Sequence, residues 1–269
     1  MVRVRRLEAV MQHETTTGRI LYTSKKPERL DQVRGGETFT ITRHIDGRRT
    51  LRALCAIDEN SPRVLRDSIT SVDAGWNPTE GFVQITVDEH FVGSAWYRFT
   101  DDLAVCEGFN AADGRVSKRI ELARPAAFFG THPIQADAWL THCYDLSKGP
   151  GEQIVPTYLM CSLHHRGADG PTLILQRDLP LYFLGEESVT VAAGVFDALH
   201  FRIGANIDDA DPGRPEDVTT GAARHPPYHI WVMADGSYVM LKAYCTGYMQ
   251  TFYELVEYDR RIGAIAMPA

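Results

Sequence analysis

Apolar and polar residues alternate along most of this chain. Alternation of period two is the mark of a strand with one face buried, because successive side chains point to opposite faces. Between Glu37 and Leu122 the pattern predicts a meander. Glu37 to Ile45 (ETFTITRHI) and Arg48 to Ile57 flank an Asp46-Gly47 turn, and Arg63 to Val72 is a further strand. Gly81 to Val87, Phe91 to Phe99, Leu103 to Phe109 and, after Asp113-Gly114, Arg115 to Leu122 follow. Arginines alternate with apolar residues on several of these strands, which predicts one wet face. Short, evenly spaced strands point to an antiparallel sheet, sandwich or barrel.

The pattern breaks over residues 124–181, where six prolines fall: Pro125, Pro133, Pro150, Pro156, Pro171 and Pro180. Ile134 to Tyr144 has helical spacing at Ile134, Ala138 and Trp139, and Val155 to His164 reads as a second short helix with Pro156 in its first turn. Strands return at Tyr182 to Val191 and Gly194 to Ile203. Residues 204–227 are acidic, then proline-rich, and read as a long loop that could serve as a lid. Residues 1–35 are polar and charged and predict a loosely held arm with one strand near Arg19 to Thr23. The expected organisation is that arm, then a single β-rich domain over 36–269. It is a mainly β (α+β) fold: an antiparallel curved sheet or half-barrel with a few short helices on its concave face.

The strongest strand signal is Tyr228 to Tyr258. Asp235-Gly236 between β-branched and aromatic runs predicts a two-residue hairpin turn. That turn sets Val232 against Val239, Ile230 against Leu241 and Tyr228 against Ala243 on one apolar face. The other face then carries Met233 with Tyr238, Trp231 with Met240, and His229 with Lys242, followed by Tyr244. A second turn at Thr246-Gly247 would bring Thr251 beside Lys242 and Tyr253 beside Met240. An imidazole opposite an amine should titrate more easily than usual, since like charges repel. This face is therefore either a solvated surface with a snorkelling lysine or the polar wall of a pocket.

Composition is that of a globular protein, 44% hydrophobic and 23% charged, with a net charge of −7 that argues against an electrostatic nucleic-acid binder. Five scattered cysteines make no C-x-x-C pair, so neither a disulfide framework nor a zinc pattern is expected. The ten histidines show no metal-ligand spacing, and His132, His142, His164 and His165 share no obvious face. No G-x-S-x-G, Walker or G-x-G-x-x-G sequence occurs. A basic start without an apolar run behind it predicts no secretory signal, and no segment approaches the roughly 20 apolar residues of a membrane span. A cytoplasmic protein without metal or organic cofactor is the expectation.

Lys242 alone among the five lysines lies in a strongly apolar strand. Desolvation lowers the pKa of a lysine, so Lys242 or His229 could move a proton and Tyr244 could stabilise an oxyanion. Trp231, Met240 and Tyr253 would grip the substrate from the sheet, and Trp139, Asp137 and His142 would face them from the helix. Asp137 serves equally as a first-turn charge suited to a helix N-terminus, and Cys161 near His164 reads as a buried structural thiol.

The stretch VTVAAGVFDALHFRI, Val189 to Ile203, and the closing Tyr253 to Leu255 after an Asp-Gly turn resemble periplasmic domains of unknown function related to the LolA/LolB lipoprotein carriers. The resemblance covers the C-terminal half. It implies an antiparallel half-barrel around short helices, enclosing an apolar cavity. The chain departs from that pattern in lacking an export signal and in its polar His229/Lys242 face.

These readings give a cofactor-independent lyase or isomerase acting by acid–base catalysis on a hydrophobic, aromatic small molecule. The alternative is a non-catalytic binding or carrier protein for a lipid-like ligand. A third reading makes the amphipathic face a homo-oligomer interface.

Overall fold

The structure is a computed structural model that describes residues 13–58, 63–164, 167–204, 228–245 and 249–263. Its strands are β1 Glu14–Ser24, β2 Val33–Arg43, β3 Arg49–Ile57, β4 Val64–Val72, β5 Pro78–Val87, β6 His90–Phe99, β7 Leu103–Asn110 and β8 Gly114–Glu121. Then come β9 Phe129–Gly130, β10 Gly151–Met160, β11 Ile174–Val191, β12 Gly194–Ile203, β13 Tyr228–Met233, β14 Met240–Cys245 and β15 Thr251–Ile262. All fifteen belong to one sheet, mainly antiparallel, with the two-residue β9 running parallel to β10.

The order is two meanders joined at the middle. One runs from β1 outward to β8, the other from β15 back through β14 to β9, and β1 pairs with both β2 and β15. The predicted meander of strands from Glu37 to Leu122 matches the first of these. Of the predicted arm, residues 1–12 lie outside the described residues; the strand expected near Arg19 to Thr23 is present but longer, as the central strand Glu14–Ser24, and β2 begins at Val33. Threonines disguise β1 as polar in sequence. In the fold, Thr16, Ile20, Tyr22 and Ser24 are buried at even positions, and threonine is itself a good strand former.

The segment read as a second helix, Val155 to His164, is largely β10, with Val155, Thr157 and Leu159 turned into the core. Its β-branched and aromatic content outweighs the helical spacing, and the ladder simply skips Pro156. The first helix is found as predicted: α1, Ile134–Ala138, continues directly into a 3-10 turn, Trp139–Cys143.

Helix α1 lies inside the curl of the sheet. Gln135 donates its backbone N–H to Glu37 of β2, while its side chain donates to the Tyr238 carbonyl (3.1 Å) and accepts from the N–H of Met240 (3.0 Å) at the start of β14. In a flat sheet β2 and β14 would stand three spacings, about 14 Å, apart. One residue that ties them together requires the sheet to bend around it. The first core is built on this helix, with Ile20, Leu51, Trp139, Phe201, Ile230 and Leu255 among its buried members.

A second core fills the other half of the curl. There Phe129 of β9 packs against Tyr97 and Phe99 of β6, with ring centroids 4.6 and 4.8 Å apart. Lys118 on edge strand β8 donates to Thr172 Oγ1 at 2.6 Å, and Asn110 reaches the Asp169 carbonyl at 3.3 Å. The two ends of the sheet therefore meet through side chains and a loop, not through a ladder.

The β13–β14 hairpin departs from its predicted register. Met233 N–H bonds the Val239 carbonyl at 2.9 Å, so the loop is five residues, 234–238, with Gly236 and Tyr238 at φ 80° and 52°. The Asp235 carboxylate causes this. It accepts from Ser237 N (2.9 Å) and Ser237 Oγ (2.5 Å), a side-chain turn that competes with the tighter one. Below the loop the pairs are Tyr228/Cys245, His229/Tyr244, Ile230/Ala243 and Trp231/Lys242, a slip of two residues that keeps every side chain on its expected face. A bulge then sets Val232 against Met240, which turns Met240 to the inside. On the other flank Lys242 pairs with Glu254, Ala243 with Tyr253 and Cys245 with Thr251, not Thr251 with Lys242 or Tyr253 with Met240. The Thr246-Gly247 turn and residues 205–227 of the predicted lid lie outside the described residues.

Candidate functional site

The sheet divides the predicted site in two. Lys242, His229, Tyr244 and Trp231 share the outer face. Met240, Tyr253, Trp139, Asp137 and His142 belong to the inside, with the β13–β15 backbone between the groups.

On the outer face Trp231 is the hub. It stacks on His200 of β12 at 3.8 Å, donates its indole N–H to Glu187 of β11 at 2.5 Å, and lies under the Lys242 ammonium at 4.4 Å. A cation over an indole face is attracted by the ring quadrupole. The expected His229–Lys242 pair is replaced by other partners. His229 stacks on Tyr244 at 4.7 Å, and its Nδ1 shares a hydrogen bond with His200 Nε2 at 2.8 Å. Burial first, then the neighbouring His229 and Lys242, pushes the His200 pKa down to about 4, with Glu187 opposing. At neutral pH His200 is therefore an uncharged donor or acceptor. The sequence reading missed both His200 and Glu187. They become visible only when β12 is laid beside β13, which sets His200 opposite Trp231.

The inner group is organised by a residue the sequence reading did not single out. Glu37 is 1% exposed. Its Oε2 accepts from the Ile134 backbone N–H (2.8 Å) and the Tyr22 hydroxyl (2.7 Å), and its Oε1 accepts from the Gln135 N–H (3.2 Å). A strand carboxylate thus caps the buried start of α1, where the first N–H groups have no partner within the helix. Burial raises its pKa to about 7 against the pull of these three donors. Asp137 keeps some exposure, yet the protein packed around its carboxyl also raises it to about 7, with a Tyr228 hydrogen bond and the Arg66 charge opposing. Tyr22 meets Tyr253 edge-on at 4.7 Å and approaches Cys55 Sγ at 3.4 Å. Arg34, buried on β2, donates to Thr251 Oγ1.

Trp139 and His142 belong to a separate aromatic knot. Trp76 meets Trp139 at 5.4 Å, stacks on His142 at 5.5 Å, and lies under the Arg49 guanidinium at 4.0 Å. His142 Nε2 lies 3.1 Å from the Ala127 carbonyl and so carries the proton, and burial lowers its pKa to about 4. It is a neutral structural donor and does not converge with Asp137.

The thiols are poor nucleophiles in these surroundings. Burial raises Cys55 and Cys106 to about 11, and Cys143, Cys161 and Cys245 to about 12. No group of three or more metal-ligating side chains gathers among the described residues, and none of their helices is long and apolar enough to cross a membrane.

No family model matches the chain, and no curated protein matches its sequence. Among solved structures, the β-barrel-like protein of the domain of unknown function DUF1849 from Brucella abortus aligns with a TM-score of 0.55 at 10% identity. The alignment covers 92% of this chain and 98% of that one. A protein of Parabacteroides distasonis described as a candidate lipoprotein aligns over 92% and 96% of the two chains, with a TM-score of 0.30 and 7% identity. The first similarity agrees with an open, barrel-like antiparallel sheet.

Proposed function

We propose that the protein binds a lipid-like hydrophobic molecule and carries it without chemical change. The observation that supports this most is the seam between the two ends of the sheet. Its contacts are side-chain contacts: Phe129 on Tyr97 and Phe99, and Lys118 on Thr172. Such a seam can part without breaking a strand ladder. Behind it lies the half of the curl that the helix does not fill, lined by Val83, Ile85, Ala95 and Leu159, all essentially inaccessible to water. Opening the seam would exchange these side-chain contacts for contacts with an acyl chain, at little net cost in buried apolar area. The resemblance to LolA/LolB-like carriers, which hold lipid in a half-barrel, favours the same reading by analogy of fold.

The test is uptake of cis-parinaric acid by delipidated protein, followed by fluorescence, in the Lys118→Cys/Thr172→Cys variant with and without a short bismaleimide cross-link. Carriage through the seam predicts that the uncrosslinked protein takes up the probe and that the cross-link slows uptake at least about tenfold. No uptake by the delipidated protein, or uptake indifferent to the cross-link, overturns the reading.

A second reading, acid–base catalysis of a lyase or isomerase type, draws on the grouping of Lys242, His229 and Tyr244 around Trp231. Lys242→Met separates the two. A carrier variant retains its ligand unchanged, whereas an enzyme variant loses turnover.

A further inference from the structure

We propose that the outer face of β2 to β6 is a binding platform for a neutral oligosaccharide, with Trp96 and Phe82 as its stacking surface and Arg52, Asp67 and Gln84 as its hydrogen-bonding groups. It lies on the opposite side of the sheet from the carrier interior and does not depend on it.

The platform is written into the register. Arg52, Ile69, Phe82 and Trp96 pair in succession across β3, β4, β5 and β6 and form one continuous row. Two residues along, Leu54, Asp67, Gln84 and Ser94 form a parallel row. An open groove of about 580 Å³ follows the β3 to β5 part of these rows, lined by Arg52, Leu54, Asp67, Ile69, Phe82 and Gln84, and Trp96 stands beyond it, next to Phe82. Ligand sites commonly fall between about 300 and 1,000 Å³.

Trp96 is 62% exposed, although β6 is paired on both sides and is not an edge. Its ring lies 4.8 Å from that of Phe82, so the two make a joint aromatic surface. A large exposed indole in mid-sheet contributes nothing to the core and marks a contact surface.

The chemistry around the rings selects the ligand. A sugar ring offers a polarised C–H face to an aromatic ring, whose face is electron-rich, and a rim of hydroxyls that both donate and accept. The adjacent row supplies a carboxylate, an amide and a hydroxyl, and Arg52 in the aromatic row adds a guanidinium, which together meet both needs. A pyranose repeat of about 5 Å matches the roughly 4.8 Å spacing of the strands, so successive sugars would step from one strand to the next. Arg52 and Arg98 are offset by Asp67 and Glu80 on the same face, and Glu107 beside Trp96 is paired with Arg115, which favours an uncharged chain over a polyanion. A flat apolar partner would instead bury these polar groups without replacing their water.

The test is titration of the intact protein with cellohexaose, chitohexaose and maltohexaose, followed by calorimetry and tryptophan fluorescence. At least one of them should bind saturably. Trp96→Ala and Asp67→Asn should each weaken that binding by at least about tenfold, while Trp231→Phe should not. Trp96→Ala should keep the far-ultraviolet dichroism and the parinarate uptake of the parent, which separates failure of this proposal from failure of the carrier reading. The proposal is overturned if none of the three sugars binds at millimolar concentration or if Trp96→Ala binds as well as the parent. It is also overturned if light scattering finds a dimer that Trp96→Ala dissolves and sugar does not.

Discussion

The Glu37 carboxylate and the Ile134 backbone N–H are 97 residues apart in sequence and 2.8 Å apart in the fold. Through that bond a strand in one meander holds the start of the helix that the other meander wraps. Glu37→Ala would leave the N–H groups of Ile134 and Gln135 and the Tyr22 hydroxyl without their acceptor, in a site closed to water. Each buried orphan costs about 1–3 kcal/mol, so the expected loss is about 2–4 kcal/mol after local relaxation. Glu37→Gln keeps one acceptor oxygen and should lose about half as much. Urea unfolding followed by dichroism checks the order; equal losses would mean that the cap contributes little.

Stability should respond to pH in an unusual way. Glu37 and Asp137 have folded pKa values of about 7, above their ordinary 4.5 and 3.8. Their contribution is full below pH 4 and is lost as pH rises through 7. His142 is opposite, with a folded value of about 4 against 6.5. Its contribution is full above pH 6.5 and is lost as pH falls to 4. His200 shifts the same way. Between about pH 4.5 and 6.5 the folded state holds protons on two carboxyls and the unfolded state holds them on two imidazoles, so these four groups nearly cancel. Glu37→Gln should tilt the balance so that stability rises with pH, and His142→Gln should tilt it the other way. Each tilt is at most about 1.4 kcal/mol per pH unit. Unfolding midpoints in urea across that window measure both slopes, and matching slopes in the two variants would contradict the assigned shifts.

Most of the strands from β2 to β7 were legible because they alternate, as β3 does with Leu51, Ala53 and Cys55 buried between more exposed neighbours, whereas β8 buries only Val116 and is marked by the Asp113-Gly114 turn before it. β1 was not, since its buried positions include Thr16 and Ser24, which read as surface. The outer cluster was legible in part. A slip of two residues keeps parity, so Lys242, His229, Tyr244 and Trp231 stay together even though the assumed turn is wrong. Met240 and Tyr253 were lost to a bulge and to a different turn length, neither of which leaves a mark in the residue pattern. Glu37 could not be found from sequence. Its role depends on a partner 97 positions away, and in ETFTITRHI it looks like the polar start of a strand.

Lys242 should tolerate loss of its charge but not reversal. Its ammonium rests on the Trp231 face, an interaction worth about 0.5–1 kcal/mol where partly exposed. Methionine would keep most of the packing on the ring, so Lys242→Met should lower stability by no more than about 1 kcal/mol. Lys242→Glu would add a carboxylate beside Glu254 and near Glu187, and should cost clearly more. Thermal unfolding at low ionic strength compares the two. A lysine that merely extends into solvent would give nearly equal, small effects.

The seam has a built-in weak point at Gly81. A Cβ there would stand 2.8 Å from Phe129 Cε1 and 3.2 Å from the Ile69 carbonyl, so the missing side chain is what lets Phe129 settle over β5. Gly81→Ala must push Phe129 outward, away from Tyr97 and Phe99, and overpacking of this kind costs about 1–3 kcal/mol. Gly114→Ala is the control. Gly114 sits at φ 78° in the β7–β8 turn with no atom near its missing Cβ, so alanine there strains the backbone by about 1 kcal/mol and leaves the seam intact. Both variants should be less stable in urea. Only Gly81→Ala should take up cis-parinaric acid faster than the parent, because only there does the lost free energy belong to the contacts that hold the seam shut. Equal uptake by the two would detach ligand entry from the Phe129 contact.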